Sequence, residues 1–171
     1  MLITVLVVAI VYLPMLAEAR RAAANERIQR ARGGVEPADD VFKMMRVAYP
    51  GAFLLMIVDG AMGRTPEPAT VAAGLALLAA SKALKWWAIL TLGPAWTFRV
   101  IVVPGAPLVT RGPYRLLRHP NYIAVIGELV AAALMTGSRI GSPIAVVGFG
   151  LLMLKRIAVE ERALTSDAPG A

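Results

Sequence analysis

The sequence lacks cysteine altogether and contains one histidine, His119, among its 171 residues. Without cysteine the chain can form no disulfide, no thiolate metal site and no cysteine nucleophile. A lone histidine also argues against a zinc site, because zinc is normally held by several histidine and cysteine ligands. The sequence therefore predicts no metal.

The common nucleotide-binding and hydrolase motifs are missing as well. The sequence has no G-x-G-x-x-G, P-loop, nucleophile elbow or His-x-x-x-His pair. The nearest candidate is "GFG" at residues 148–150, but it lies inside an apolar run and is followed by Leu-Leu-Met. Small residues in such a run usually serve helix packing. Nucleotide-binding folds of the soluble type are therefore excluded.

Apolar residues are abundant. They make up 58% of the chain, against roughly 45–50% in soluble domains, and the mean hydropathy is +0.66. They gather in five runs, at about residues 1–17, 47–63, 69–92, 122–136 and 139–158. About 17–25 residues suffice to cross the hydrocarbon core. We predict an all-α, polytopic membrane bundle in one domain, residues 1–171, with five transmembrane helices of which the last two form a hairpin.

The first run has two interpretations. "AEA" at residues 17–19 resembles a signal-peptide cleavage site. However, the run has no basic segment before it, and Arg20 and Arg21 follow it directly. This pattern favours a retained anchor. The chain after it is predicted to form a short surface helix to about Arg32, ended by Gly33 and Gly34.

The basic residues indicate the orientation in the membrane. With the N-terminus outside and the C-terminus cytoplasmic, all of the 18 Lys and Arg residues except Arg64 and Arg139 lie on the cytoplasmic side. Such asymmetry follows the positive-inside rule. The net charge of +7 is then explained by topology and by attraction to anionic membrane lipids, and no nucleic-acid partner is predicted.

Two polar stretches flank the predicted hairpin. "GPYRLLRHPNY" covers residues 112–122, and "RIAVEERAL" covers residues 156–164. Because a hairpin returns its ends to one membrane face, the two stretches are predicted neighbours. Together they offer cations for a carboxylate, carboxylates for an ammonium group or a ribose diol, and aromatic rings for a base or a sulfonium.

Simpler roles remain open for several residues inside and outside these stretches. The plain role of a snorkelling anchor is open to Arg115, Arg118, Lys155 and Arg162. The three tryptophans, Trp86, Trp87 and Trp96, are predicted to form an interfacial belt. Ionisable groups at membrane depth are functional candidates by default, but Asp59 and Lys85 could simply pair with each other.

The two polar stretches resemble the motifs of the isoprenylcysteine carboxyl methyltransferase family, which are integral membrane methyltransferases, and of a wider group with phospholipid N-methyltransferases. The combination of Arg-His-Pro-x-Tyr and a distal Glu-Glu is specific when both occur. Upstream, "KWWAILTLGPAWTFRVIVVPGAPLVTRGPYR" and, more loosely, "NERIQRARGGVEP" extend the resemblance to about residues 20–165. This longer pattern is most similar to bacterial members found beside type III polyketide synthases, which methylate hydroxyls of alkylpyrones or alkylresorcinols.

The resemblance implies a five-helix bundle with a cofactor pocket at the cytosolic face, in a bacterial cytoplasmic membrane. It implies that residues of about 93–165 bind S-adenosylmethionine through Tyr114, His119, Pro120, Asn121, Tyr122, Glu160 and Glu161. Catalytic roles fall on Arg118, Arg156 and Glu160. The acceptor would be lipophilic and would enter from the bilayer.

The acceptor itself stays open, because Asp59 stands where the most similar subgroup is expected to have glutamate. The candidates are an alkylpyrone or phenolic hydroxyl, a prenylcysteine carboxylate and a phospholipid amine. From other classes, a membrane NADPH-dependent sterol-type reductase has a related C-terminal layout, and a non-catalytic membrane scaffold is also compatible with the sequence.

Overall fold

The computed structural model describes the backbone of residues 2–63 and 65–166, and the side chains of residues 9–63 and 65–165. The described residues form five α-helices and no β-strand, as predicted for an all-α fold. Arg64, one of the two basic residues predicted outside, lies beyond the described ranges. The helices are α1 (Leu2–Ala31), α2 (Phe42–Met62), α3 (Pro68–Leu92), α4 (Pro120–Thr136) and α5 (Gly141–Ser166).

Helix α1 corrects the prediction of a membrane segment followed by a separate surface helix. It runs without interruption from Leu2 to Ala31 and contains Pro14. The stretch after residue 17 is rich in Ala, Arg, Glu and Gln, which are strong helix formers, so nothing ends the helix there. It ends where predicted, at the Gly33-Gly34 pair, and Gly33 adopts a φ of +83° that favours glycine.

The other helices agree with the predicted runs except at two boundaries. Helix α2 begins at Phe42, five residues before the predicted start. Helix α5 extends beyond the apolar run, which ends at about residue 158, to Ser166, so Glu160 and Glu161 lie within the helix. Helices α3 and α4 begin at Pro68 and Pro120, the first helical position, where the missing N–H of proline costs no hydrogen bond.

Three helices among the described residues, α2, α3 and α5, are long and apolar enough to cross a membrane. Helix α4 is apolar but shorter, with 17 residues. The chain is therefore a multi-pass membrane protein. Helices α3 and α4 pack closely through small residues: a Cβ added to Gly127 would lie 2.2 Å from the Ser81 hydroxyl oxygen.

The bundle has two ends. At the first, which we call the loop end, the α1–α2 loop, the α3–α4 loop and the last turns of α5 meet. Val35 and Val102 form an isolated antiparallel bridge there, with N···O distances of 2.8 and 3.0 Å. The amide of Asn25, in α1, donates to the backbone oxygens of Gly93 and Trp96 at 3.0 and 2.7 Å. These contacts bind the two loops to α1.

Asp59 lies at the opposite end, which we call the turn end. Its carboxylate accepts hydrogen bonds from the Ser138 hydroxyl at 2.6 Å and from the Gly141 N–H at 3.0 Å, in the turn that joins α4 to α5. The alternative that Asp59 and Lys85 pair with each other is therefore wrong. A polar residue near the start of a helix satisfies its free N–H groups, so Asp59 fixes this turn.

Lys85 instead belongs to a buried group of charges that we call the core ion cluster. Its ammonium lies 2.7 Å from a Glu18 oxygen and 3.4 Å from a Glu128 oxygen. Lys82 contacts the same two carboxylates at 3.2 and 3.0 Å, and the Tyr49 hydroxyl donates to Glu128. The cluster joins α1, α2, α3 and α4 and is balanced, with two cations and two anions.

Candidate functional site

The two polar stretches of the sequence meet at the loop end of the bundle. The His119 imidazole Nε2 lies 3.1 Å from a carboxylate oxygen of Glu161. One helical turn further along α4, the Tyr122 hydroxyl donates to Glu160 at 2.5 Å. The sequentially distant halves of the pattern, separated by the α4–α5 hairpin, thus form one cluster.

Local backbone chemistry explains the placement of His119. Gly112 begins a 3₁₀ turn with a φ of +58°, and an added Cβ would lie 2.6 Å from the Thr91 hydroxyl oxygen. This close approach holds the turn against the end of α3. Pro120 then begins α4 directly after His119. The rings of His119 and Tyr122 consequently lie side by side, with centroids 5.4 Å apart.

Arg156 connects this cluster to the α1–α2 loop. Its Nε donates to the Tyr122 hydroxyl at 3.2 Å, and its Nη1 donates to Asp40 at 2.7 Å. The Asp40 carboxylate also accepts from the backbone N–H of Val100 at 2.9 Å. We call the series Asp40, Arg156, Tyr122 and Glu160 the site chain. Within the described part of the protein, Nη2 of Arg156 has no hydrogen-bond partner, so it can still donate to a ligand.

An apolar groove of about 270 Å³ lies against this cluster, between α4 and α5. Its floor and walls combine the rings of two site residues with aliphatic side chains, namely His119, Tyr122, Ile123, Ile126, Met153 and Ile157. Ile123 is half exposed at the bundle surface. The groove therefore connects the aromatic and charged cluster to the apolar flank of the bundle.

A second, polar cavity of about 380 Å³ lies in the loops beside Asp40. Phe42 and Arg99 line it, and the Arg99 guanidinium lies 4.4 Å from the centre of the Phe42 ring. Glu36 accepts from Arg99 at 2.6 Å. Burial acts to raise the pKa of Glu36, but the hydrogen bonds and charges of Arg30 and Arg99 outweigh it, so the pKa is lowered. Glu36 therefore stays ionised and holds the two loops together.

The remaining predicted site residues occupy less central positions. Arg118 is 90% exposed and its guanidinium is 3.9 Å from Glu161, so it lies at the rim. Asn121 accepts from the indole N–H of Trp96 at 3.4 Å. Trp96 is buried, which corrects its predicted place in an interfacial belt: its indole packs under the loop end.

Tyr114 lies in the 3₁₀ turn before α4. Burial, and then the negative charge of Glu160, raise the pKa of the Tyr114 hydroxyl well above its ordinary value. The hydroxyl therefore stays protonated at neutral pH and can act as a hydrogen-bond donor but not as a base.

Sequence reasoning missed Asp40 and the α1–α2 loop. The only signal was the acidic pair Asp39-Asp40 in a loop whose flanking helix ends are rich in basic residues. Nothing in the sequence indicates that one acid of this pair would be buried against an arginine 116 residues later. That contact depends on the packing of α2 against α5.

The chemistry of these side chains restricts the ligands that the site can bind. The described residues contain no group of three or more His, Asp and Glu side chains able to hold a metal ion. By contrast, the site has aromatic rings beside two carboxylates, which attract cations. Such a site suits a ligand that is both aromatic and cationic. The groups present thus fit S-adenosylmethionine, whose sulfonium, amino group, ribose and adenine have these needs.

The fold and the site define a multi-pass helical membrane protein with one cluster of aromatic and charged groups at its loop end. The profile of the isoprenylcysteine carboxyl methyltransferase (ICMT) family matches residues 73–166, more than half of the chain. The chain therefore belongs to this family of membrane methyltransferases, whose members generally use S-adenosylmethionine.

Two bacterial proteins of uncharacterized function are similar over most of their length. YpbQ of Bacillus subtilis is 28% identical over 160 residues, which cover 93% of this chain and 95% of that protein. A protein of Haemophilus influenzae is 22% identical over 146 residues, 85% of either chain. No solved structure matches the chain significantly.

Proposed function

We propose that this protein is an S-adenosylmethionine-dependent O-methyltransferase with a lipophilic acceptor, either an alkylpyrone or phenolic-lipid hydroxyl or a prenylcysteine carboxylate. One observation supports this most strongly. His119 and Tyr122 of one motif contact Glu161 and Glu160 of the other, at 3.1 and 2.5 Å, beside an apolar groove.

We assign the cofactor to the loop end of one domain, residues 1–171, mainly to its part at about 93–165. The rings of His119 and Tyr122 suit a sulfonium, because aromatic faces attract cations. Glu160 and Glu161 suit an amino group or a ribose diol. Tyr114 and Asn121 are assigned to the remaining part of the cofactor, and Pro120 fixes the start of α4. The groove alone, at about 270 Å³, is small for a drug-sized ligand, so the polar part of the cofactor would extend towards Glu161 and Arg118.

The acceptor is assigned to the apolar groove. Its aliphatic walls, Ile123, Ile126, Met153 and Ile157, suit a hydrocarbon tail that arrives from the bilayer. The free Nη2 of Arg156 is suited to the acceptor oxygen. A nearby cation lowers the pKa of a hydroxyl, which favours its loss of a proton, whereas a carboxylate acceptor arrives ionised.

Bound S-adenosylmethionine would supply a methyl group on a cationic sulfur, and the acceptor oxygen would gain the bond to carbon that the sulfur loses. The chain contributes position and exclusion of water. Correct positioning alone is worth about 7–11 kcal/mol in favourable cases. An apolar site also disfavours separated opposite charges, which this reaction cancels. No covalent nucleophile is required, in agreement with a chain that has no cysteine.

The loop end is proposed to face the cytosol of a bacterial cell. In that orientation the N-terminus is outside, and 14 of the 18 Lys and Arg residues are cytoplasmic. Arg64 and Arg139 are outside, and Lys82 and Lys85 belong to the core ion cluster. The soluble cofactor then reaches the loop end from the cytosol, and the acceptor reaches the groove from the membrane.

Methyl transfer from radiolabelled S-adenosylmethionine in isolated membranes tests the proposal. A prenylcysteine analogue, an alkylpyrone and phosphatidylethanolamine are offered in parallel. We expect label in one of the first two. Label in the phosphatidylethanolamine instead would identify an N-methyltransferase. Binding of NADPH but not of S-adenosylmethionine by the purified protein would contradict a methyltransferase and favour a reductase.

A further inference from the structure

We propose that Asp40 is a positioning residue: its carboxylate fixes the guanidinium of Arg156, and through it Tyr122 and Glu160, in the geometry that ligand binding and methyl transfer require. This inference rests on the proposed function. Asp40 would not touch the cofactor or the acceptor itself.

Three separate parts of the chain meet at the Asp40 carboxylate. Its Oδ1 accepts from Arg156 at 2.7 Å and from the backbone N–H of Phe42 at 3.1 Å. Its Oδ2 accepts from the backbone N–H of Val100 at 2.9 Å. The side chain is only 3% exposed. A carboxylate held by two backbone donors cannot rotate freely, so it is a rigid support.

Arg156 receives its orientation from two contacts in different directions. Nη1 is bound to Asp40, and Nε donates to the Tyr122 hydroxyl at 3.2 Å. Because a guanidinium is planar, two fixed nitrogens define the direction of the third, Nη2. Loss of the Asp40 contact frees this plane to turn. The hydroxyl of Tyr122 then loses its donor, and the Glu160 carboxylate loses a fixed neighbour.

The adjacent residue provides a natural comparison. Asp39 also contacts an arginine of α5, Arg162, at the same distance of 2.7 Å, but these side chains are 51% and 68% exposed. Exposed ion pairs contribute little, and Arg162 makes no contact with Tyr122 among the described residues. Burial and connection to the site, not the ion pair as such, therefore distinguish Asp40.

The test measures the affinity of the purified, detergent-solubilised full chain for S-adenosylmethionine by calorimetry, together with methyl transfer. Asp40→Asn is expected to weaken binding about tenfold and to lower kcat about 100-fold, the size of effect that a displacement of about 1 Å can cause. Asp39→Asn is the matched control and should stay within about twofold. Asp40→Glu should recover part of the loss, because the polar cavity beside Asp40 leaves space for one more methylene.

A double variant separates positioning from general structure. In the Arg156→Gln background, Asp40→Asn should change affinity by less than about twofold, because its effect passes through Arg156. The same tenfold loss in that background would overturn the proposal. If Asp40→Asn does not accumulate in membranes, Asp40→Glu decides: affinity and kcat equal to wild type would overturn the proposal, and a reduced kcat at an unchanged melting temperature would support it.

Different results would overturn the proposed function and the role of Asp40. A wild-type chain that binds no S-adenosylmethionine overturns the proposed function, and this inference with it. A wild-type chain that binds it, together with an Asp40→Asn variant of equal affinity and kcat, overturns this inference alone.

Discussion

The core ion cluster and the site chain are two groups of buried charges. They differ in whether all their charges are paired within the group. In the core ion cluster, each of the two lysines lies within 3.4 Å of both Glu18 and Glu128, so the charges satisfy one another. The site chain instead ends beside a groove, and the neighbouring Glu161 is 48% exposed. We call the core ion cluster closed, because its charges are all paired, and the site chain open, because it borders an accessible groove. A closed group in a membrane holds helices together, whereas an open group can still bind a ligand.

The largest expected effect comes from opening the closed cluster. Lys85→Met leaves two buried carboxylates with a single lysine, and breaking a buried pair typically costs about 3–5 kcal/mol. We expect this loss in the free energy of unfolding in detergent. Lys155→Met, at an exposed position of α5, should change it by less than about 0.5 kcal/mol.

The double variant Lys85→Met with Glu18→Gln sharpens this prediction. It removes one cation and one anion and leaves the Lys82–Glu128 pair at 3.0 Å. Its unfolding free energy should therefore lie above that of Lys85→Met alone, since balance is restored. A double variant as unstable as the sum of its single changes would mean that the charges do not act as a unit.

Changes at the open group should alter binding more than stability. Glu160→Gln and His119→Ala are each expected to weaken S-adenosylmethionine binding about 10- to 100-fold, the value of a charged hydrogen bond of about 1.5–3 kcal/mol. Both variants should insert into membranes and melt within a few degrees of wild type. Glu67→Gln, at the exposed start of α3, is the control. If both site variants bind S-adenosylmethionine with wild-type affinity, the site assignment is wrong.

A smaller effect is expected from one hydroxyl. Tyr122→Phe keeps the ring in the groove but removes the oxygen between Arg156 and Glu160. A hydrogen bond of about 1–1.5 kcal/mol corresponds to about tenfold in affinity. Tyr12→Phe makes the same chemical change where the hydroxyl donates to the Pro50 oxygen at 2.8 Å. It should lower stability slightly and leave affinity unchanged; equal affinity losses in the two variants would contradict the difference between the regions.

The smallest effect concerns pH. Because the pKa of Glu36 is lower in the folded protein than its ordinary value of 4.5, its contribution to stability is complete above that pH and is lost as the pH falls through the folded pKa. Melting temperatures of wild type and Glu36→Gln should therefore differ at pH 6 and converge at acidic pH. If the difference between the two melting temperatures grows as the pH falls, the pKa of Glu36 is not lowered by folding.

Hydrophobic patterning predicted the helices well, because each apolar run needs only a local hydrogen-bonded structure to enter a membrane. The hairpin of α4 and α5 also followed from the short turn between them. The continuity of α1 was missed, since it crosses from apolar into polar sequence while keeping high helix propensity. Hydropathy changes at such a point, but the backbone has no reason to stop.

Prediction from the sequence failed mainly for ion pairs between residues far apart in the chain. Asp59 and Lys85 share apolar surroundings in the sequence, which made a pairing plausible, yet they lie in different parts of the bundle. Neither Glu18 nor Asp40 was predicted to form an ion pair, although each contacts a buried cation. Sequence position alone does not indicate which charges meet when helices pack, because a rotation of one helix by a single residue changes every partner.

By itself, the sequence determined an all-helical membrane chain, the two motif halves and the hairpin between them, because these depend on local hydropathy, on proline and glycine positions and on residue types. The tertiary structure decided which side chains face each other: His119 and Tyr122 meet Glu161 and Glu160, and Asp40 meets Arg156. The physical reason is that a buried charge is stable only beside a partner, and packing among all five helices and their loops brings each partner into place.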